Sequence, residues 1–189
     1  MRVLILISGG FDSTYLTRWA IEQGHTVGLL HIHYDHPASD RELFASSVIA
    51  RDVGVELDII SVPLMAQALA SGVGESGARI VYGRNAIFVA HAVSVAASGG
   101  YNEVWIGATA EDNGYPDCRP EWIRLQDQLA RPWGVSIRAP IICHTRQQIA
   151  ERAREKEWDM SLCWSCYQPT DAGEPCQTCN SCTQGGASE

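Results

Sequence analysis

The sequence predicts an α/β protein: a doubly wound parallel sheet carrying a small cysteine-rich segment at its C-terminal side. Three observations point there. "RVLILI" is a short continuous apolar run, as expected of a strand buried on both faces, and "TVGLLHIHY" and "ELDIISV" read as further strands. Stretches with helical spacing separate them, the arrangement that places parallel strands side by side. Five of the seven cysteines fall within the twenty residues 163–182.

Taken in order, "RVLILI" is the first strand and "TYLTRWAIEQG" a helix stopped by Gly24. "TVGLLHIHY" is the second strand, "DRELFASSVIARDVG" a helix ending at Gly54, and "ELDIISV" the third strand. "RNAIFVAHAVSVAASGG" reads as a long buried helix with "ASGG" as its stop, followed by "EVWIGA" as the fourth strand. "RPEWIRLQDQLA" is a helix with proline near its start, and "VSIRAPI" a fifth strand. "TRQQIAERAREKEW" is an amphipathic helix with Thr145 as its cap. Residues 1–160 are read as the α/β domain, 161–183 as the cysteine-rich segment and 184–189 as a disordered tail.

The 189 residues suffice for one full core, and the 22 acidic against 14 basic side chains give a net charge of -8. That sign opposes tracking of a nucleic-acid backbone, so small-molecule substrates and no nucleic acid are expected. With no signal-peptide pattern and no long apolar run, the expected location is the cytoplasm, without membrane contact. Thirteen of the basic residues are arginines and one is Lys156, so an anion site here depends on planar guanidinium groups and backbone amides.

"SGGFDS", residues 8–13, lies where the first strand ends. Gly9 and Gly10 allow a tight turn with N–H groups close to a ligand, Ser8 and Ser13 add hydroxyls, and the next helix adds its positive end. This is an anion cradle without the lysine of a Walker A loop. Asp12 would repel bare phosphate, which points to magnesium-bound pyrophosphate or to a capping role. A plain Gly-Gly turn with Asp12 or Ser13 as N-cap is the structural alternative.

Cysteine pairs spaced two residues apart chelate one metal ion without strain, with zinc as the natural occupant. Cys163 and Cys166 form one such pair, and Cys176, Cys179 and Cys182 two overlapping ones, leaving five candidates for four positions. Cys118 in "YPDCRP" has no neighbouring base and is not read as a nucleophile; Cys143 is expected to be buried. His31 and His33 share a face of the second strand and are read, with His36, as ordinary histidines, the alternative being a strand end that touches an adenine.

S-G-G-x-D-S after a first strand resembles the pyrophosphate loop of the adenylating PP-loop ATP pyrophosphatase superfamily, whose fold is adenine nucleotide alpha hydrolase-like. "YGRNAIF" at 82–88, "GYPDCRPEW" at 114–122 and "WSCY" at 164–167, followed by three spaced cysteines, are similar to the 7-cyano-7-deazaguanine synthase family, QueC, from Val3 to Cys182. The resemblance implies an ATP-dependent ligase of queuosine biosynthesis. It would turn 7-carboxy-7-deazaguanine and ammonia into the nitrile preQ0, with ATP and magnesium, as a homodimer.

By the same resemblance, Ser8, Gly9, Gly10, Phe11, Asp12 and Ser13 bind the pyrophosphate, and Arg84 with Asn85 approaches the phosphates or the reacting carboxylate. Ser8, Asp12, Ser13, Arg84 and Arg146 carry the catalytic roles, and Tyr115, Asp117, Arg119 and Trp164 border the deazaguanine. Asp117 suits an N–H and amino edge, with Arg119 as its possible ion partner. The resemblance selects Cys166, Cys176, Cys179 and Cys182 as ligands of a structural zinc and leaves Cys163 spare.

Three departures from the family pattern stand out. "DHPASDRE" replaces a glutamine, arginine and histidine stretch, Arg146 stands where the superfamily often has lysine, and "VYGRN" lacks the usual proline, with a longer Cys166 to Cys176 loop. The rival readings are a related ligase that stops at the amide or activates another carboxylate, and a non-catalytic deazaguanine- or nucleotide-binding module.

Overall fold

The computed structural model describes residues 1–63, 70–73, 79–179 and 181–182; the tail at 184–189 lies outside them. Its strands and helices are β1 (Arg2–Leu6), α1 (Phe11–Glu22), β2 (Thr26–His33), α2 (Ser39–Val53), β3 (Leu57–Ser61), β4 (Ala70–Val73) and β5 (Arg79–Val81). There follow α3 (Arg84–Gly99), β6 (Glu103–Trp105), α4 (Pro120–Ala130), β7 (Ser136–Arg138) and α5 (Arg146–Glu155).

Five parallel strands form one sheet in the order β3-β2-β1-β6-β7. Both faces of the inner strands are covered, while the edge strand β3 leaves Asp58, Ile59 and Ser61 exposed. Val3, Ile5 and Leu29 pack with Leu16 and Ala20 of α1, Ala45 and Ile49 of α2, and Ile149 of α5. Leu4, Leu30 and Val104 face the other way, onto Val89, Ala92 and Ala96 of α3 and Ile123 and Ala130 of α4. The order reverses at β1, with β2 on one side and β6 on the other, and the loops after β1 and β6 diverge there. In sheets of this class such a switch opens the ligand crevice at the carboxyl ends of the strands.

Several expectations are met in detail. Gly54 and Gly100 end α2 and α3 in the left-handed conformation. Thr145 caps α5, its Oγ1 accepting from Gln148 N at 3.2 Å while Gln148 Oε1 accepts from Thr145 N at 2.9 Å.

Other expectations are corrected. β6 and β7 are three residues each rather than spanning "EVWIGA" and "VSIRAPI". Past β6 the chain turns off at Gly107, which sits so close to α1 that an added Cβ would lie 3.1 Å from Ser13 N. Past β7 a turn forms, with Ile142 N donating to Ala139 O across Pro140, which has no N–H to offer a ladder. α1 begins at Phe11, three residues before the helical spacing starts, which places Phe11, Asp12 and Ser13 in its first turn. The antiparallel pair β4-β5 is an addition that the sequence pattern does not announce. Cys143 is exposed, not buried, because it follows that turn at the sheet edge.

Candidate active site

The loop after β1 owes its shape to Gly9, whose φ of +75° an L side chain rarely adopts. A Cβ there would lie 2.8 Å from both Ala45 Cβ and Glu42 O, so α2 buttresses the loop by direct backbone contact. Gly10 is the N-cap of α1 without any side-chain cap, so neither Asp12 nor Ser13 plays that part. The first N–H groups of a helix have no intrahelical acceptor and so face the crevice as an anion site. Ser13 Oγ donates to Gly10 O at 3.1 Å and accepts from Ser8 N at 3.3 Å, and Ser8 Oγ lies 3.3 Å from Ser13 Oγ. The two hydroxyls are therefore held together at the lip of the loop.

Asp12 does not point outward alone. Arg146, the first residue of α5, donates to Asp12 Oδ2 from Nε at 3.2 Å and from Nη2 at 3.1 Å, and to Asp112 Oδ1 at 3.2 Å. Asp112 is itself fixed by Thr109, whose N and Oγ1 donate to Asp112 Oδ2 at 2.8 and 2.9 Å. Burial pushes the Asp12 carboxyl up to about 6, and Arg146 works against that rise. Asp12 Oδ1 is buried and has no hydrogen-bond partner among the described residues. An orphaned carboxylate oxygen beside an anion loop suits a hard cation such as magnesium.

Across the crevice, Arg84 opens α3 after Gly83, which takes the left-handed conformation. Its Nη1 donates to Tyr34 Oη at 3.0 Å, and its guanidinium lies over Phe88 at 5.6 Å. Burial works against its charge, but Tyr34, Glu42 and Asp117 outweigh it and hold the pKa above the ordinary value. Glu42 is pushed up to about 7 by burial, with Arg84 opposing. Asn85 ties α3 to the turn Pro116–Cys118: its N donates to Asp117 Oδ2 at 3.4 Å and its Nδ2 to Asp117 O at 3.3 Å.

The structure thus gathers Ser8, Asp12 and Ser13 with Arg146 on one side of the crevice, and Arg84, Asn85 and Asp117 on the other. Arg119 does not pair with Asp117; its Nε donates to Asn113 O at 2.9 Å. Tyr115 is exposed. Trp164 packs behind the glycine loop: its N donates to Gly9 O at 2.8 Å, its Nε1 to Cys166 O at 2.8 Å, and Arg41 lies over its ring at 5.4 Å. Burial pushes the Cys118 thiol up to about 12, which suits the reading that it is no nucleophile. His31 is buried, with Nδ1 3.0 Å from Ile7 O and 3.2 Å from Ser46 Oγ.

Residue-by-residue sequence reasoning left out Tyr34, Glu42, Asp112 and Tyr167. Tyr167, whose hydroxyl is raised by burial and lies in the field of Arg146 and Asp112, stands in the quoted "WSCY", which was the available signal.

The sulphurs of Cys166, Cys176, Cys179 and Cys182 lie within 4.8 Å of one another. A tetrahedral ion with sulphur ligands at about 2.3 Å needs sulphurs roughly 3.8 Å apart, so small adjustments close the site. Cys176 N donates to Cys166 Sγ and Cys179 N to Cys176 Sγ, each at 3.3 Å, contacts that favour thiolates. The group is able to hold a metal ion, and Cys163 stands outside it.

Comparison with known proteins agrees with this architecture. A 7-cyano-7-deazaguanine synthase from Rhizorhabdus wittichii is 33% identical over 203 residues, covering 96% of this chain and 87% of the relative. Among solved structures, NMN synthetase from Francisella tularensis has a TM-score of 0.59 at 15% identity, covering 97% of this chain and 71% of that one. A chain described as a predicted subunit of tRNA methyltransferase from Methanocaldococcus jannaschii has a TM-score of 0.61 at 18% identity, covering 82% and 75%. These two share the fold. The model of the family described as queuosine biosynthesis protein QueC matches residues 2–187, and with the glycine loop, the crevice and the four-cysteine group in place, the chain belongs to the QueC family.

Proposed function

We propose that this protein is a 7-cyano-7-deazaguanine synthase. It converts 7-carboxy-7-deazaguanine and ammonia into the nitrile at the expense of ATP, in the cytoplasm and without a nucleic-acid partner. The observation that carries the reading is the meeting, at the β1–β6 switch, of the glycine loop with Arg84, Arg146 and the orphaned Asp12 oxygen, in a chain of the QueC family.

A carboxylate is a poor acyl donor because oxide would have to leave. Its attack on the α-phosphate of ATP expels pyrophosphate and makes AMP the leaving group. Ammonia then displaces AMP to form the amide. In a second pass the amide oxygen is adenylated in the same way, and loss of the nitrogen protons with AMP leaves the nitrile.

In this account the loop N–H groups of 9–13, Ser8 and Ser13 receive the departing pyrophosphate, and Arg84 balances its charge. Asp12 is the residue that would hold a magnesium ion bound with the nucleotide, which would supply positive charge against the phosphates. Arg146 keeps Asp12 oriented and ionised. No side chain is needed as a covalent nucleophile, so the protein acts by positioning and charge.

This assignment sets a pH dependence. The carboxylate form of Asp12 is the one that holds a cation, so Mg·ATP affinity falls as the pH drops through about 6. Arg146 lowers that pKa, so Arg146→Gln moves the acid limb to higher pH. Titration calorimetry between pH 5 and 8 checks it, and an unmoved limb counts against the role of Arg146.

Asp117 is assigned to the guanine-like edge of the substrate. Asp117→Ala is expected to weaken deazaguanine binding by about a hundredfold, as a site built to hydrogen-bond its ligand loses heavily when unpaired, with Mg·ATP affinity kept within about twofold. Unchanged deazaguanine affinity removes Asp117 from the pocket.

Zinc is assigned to the four thiols as a closed, structural ion that takes no part in the chemistry. The functional unit is a homodimer; sedimentation equilibrium is expected to give twice the chain mass of 20.7 kDa, and a single-chain mass contradicts it.

A further inference from the structure

The "DHPASDRE" stretch departs from the family pattern, yet with Tyr34 just before it and Glu42 at its end it borders Arg84. Tyr34 is buried at 7% exposure and its ring is clamped, with His36 stacked at 4.2 Å and 27° and Phe88 at 5.4 Å. Its hydroxyl oxygen takes the hydrogen bond that Arg84 makes among the described residues. Glu42 Oε2 lies 3.7 Å from His36 Nε2, and its charge bears on Arg84. The same Glu42 supplies the backbone oxygen against which Gly9 is packed, so the end of the altered stretch also touches the glycine loop.

Arginine has five N–H donors on a long stem, and its use at a phosphate depends on which way the fork points. Here the guanidinium lies over Phe88 at 5.6 Å and one Nη is committed to Tyr34. Those two contacts leave the guanidinium little rotational freedom, and the remaining donors have no protein acceptor among the described residues.

We propose that Tyr34 is a positioning residue for Arg84, setting the direction in which its fork points. The altered stretch therefore retains a working part of the site, with His36 as the wall that fixes the tyrosine ring. The inference rests on the reading that Arg84 serves the phosphates of ATP.

A double-mutant cycle tests it. Tyr34→Phe, which removes only the acceptor oxygen, Arg84→Ala and the double variant are compared by calorimetric Kd for Mg·ATP and by AMP release dependent on 7-carboxy-7-deazaguanine. Tyr34→Phe is expected to cost about tenfold in the native background, the worth of a hydrogen bond to a charged group, and less than about twofold when Arg84 is already alanine.

A merely structural Tyr34 costs the same factor in both backgrounds, and that result overturns the proposal. So does a Tyr34→Phe protein indistinguishable from the unmodified one. If the unmodified protein binds Mg·ATP but releases no AMP with the deazaguanine, the substrate reading fails while the binding cycle still decides the positioning. Absence of Mg·ATP binding overturns both.

Discussion

Gly9→Ala is expected to lower substrate-dependent AMP release by at least about a hundredfold and to weaken Mg·ATP binding in parallel. Two costs combine. The φ of +75° is unfavourable for an L side chain by roughly 1–2 kcal/mol. The added methyl would also fall 2.8 Å from Glu42 O and Ala45 Cβ, backbone and short side chain that cannot swing away. The loop must therefore shift. A displacement of about 1 Å in a positioning loop is enough for a loss of that size. Steady-state kinetics with calorimetry measure it, and turnover within about threefold of the unmodified protein contradicts the tight-loop account. Gly24→Ala serves as a control, since its φ is also +75° but its Cβ would meet nothing within 4 Å. That variant is expected to lose some stability and little turnover.

Removal of the metal is expected to be as damaging, by a different path. Four cysteines of a small segment bind an ion with a free energy that is largely folding free energy of that segment. The segment is joined to the active site: Trp164 N donates to Gly9 O, and Arg41 of α2 lies over the Trp164 ring. Arg41 also lies against the position that a side chain at Gly173 would fill. Loss of the ion therefore frees the loop as well as the segment. Cys176→Ser is expected to lose the bound metal, lower the thermal midpoint and weaken Mg·ATP binding by more than about tenfold. Cys163→Ser is expected to keep one metal ion per chain, because Cys163 lies outside the four-sulphur group. Elemental analysis of both variants decides the ligand set; metal retained in Cys176→Ser or lost in Cys163→Ser contradicts it.

What the sequence disclosed follows its physics. A continuous apolar run ending at glycine announced β1, apolar-rich stretches between helical spacings announced β2 and β3, and the spaced cysteines announced a metal group. The glycine loop was legible because its conformational need, its serines and the helix that follows are all local. β6 and β7 came out shorter because Gly107 and Pro140 end the ladders, while the side chains beyond them stay apolar for packing.

Partnerships across the crevice were not legible. Arg146 reaches Asp12 from 134 residues away, and Arg84 meets Tyr34 across 50. No local pattern records either one. The choice of Cys166 over Cys163 needed the family resemblance, since the two are the members of a single C-x2-C pair and only the folded chain shows which thiol lies with the other three.

The account's central claim is that one crevice adenylates a deazaguanine carboxylate and carries it through to the nitrile. The most direct test incubates metal-replete protein with ATP, magnesium, ammonia and 7-carboxy-7-deazaguanine and identifies the products by mass spectrometry. The account predicts 7-cyano-7-deazaguanine with AMP and pyrophosphate, two of each per nitrile, and amide as a transient. Accumulation of the amide as final product, or no AMP formed in response to the carboxylate, contradicts it.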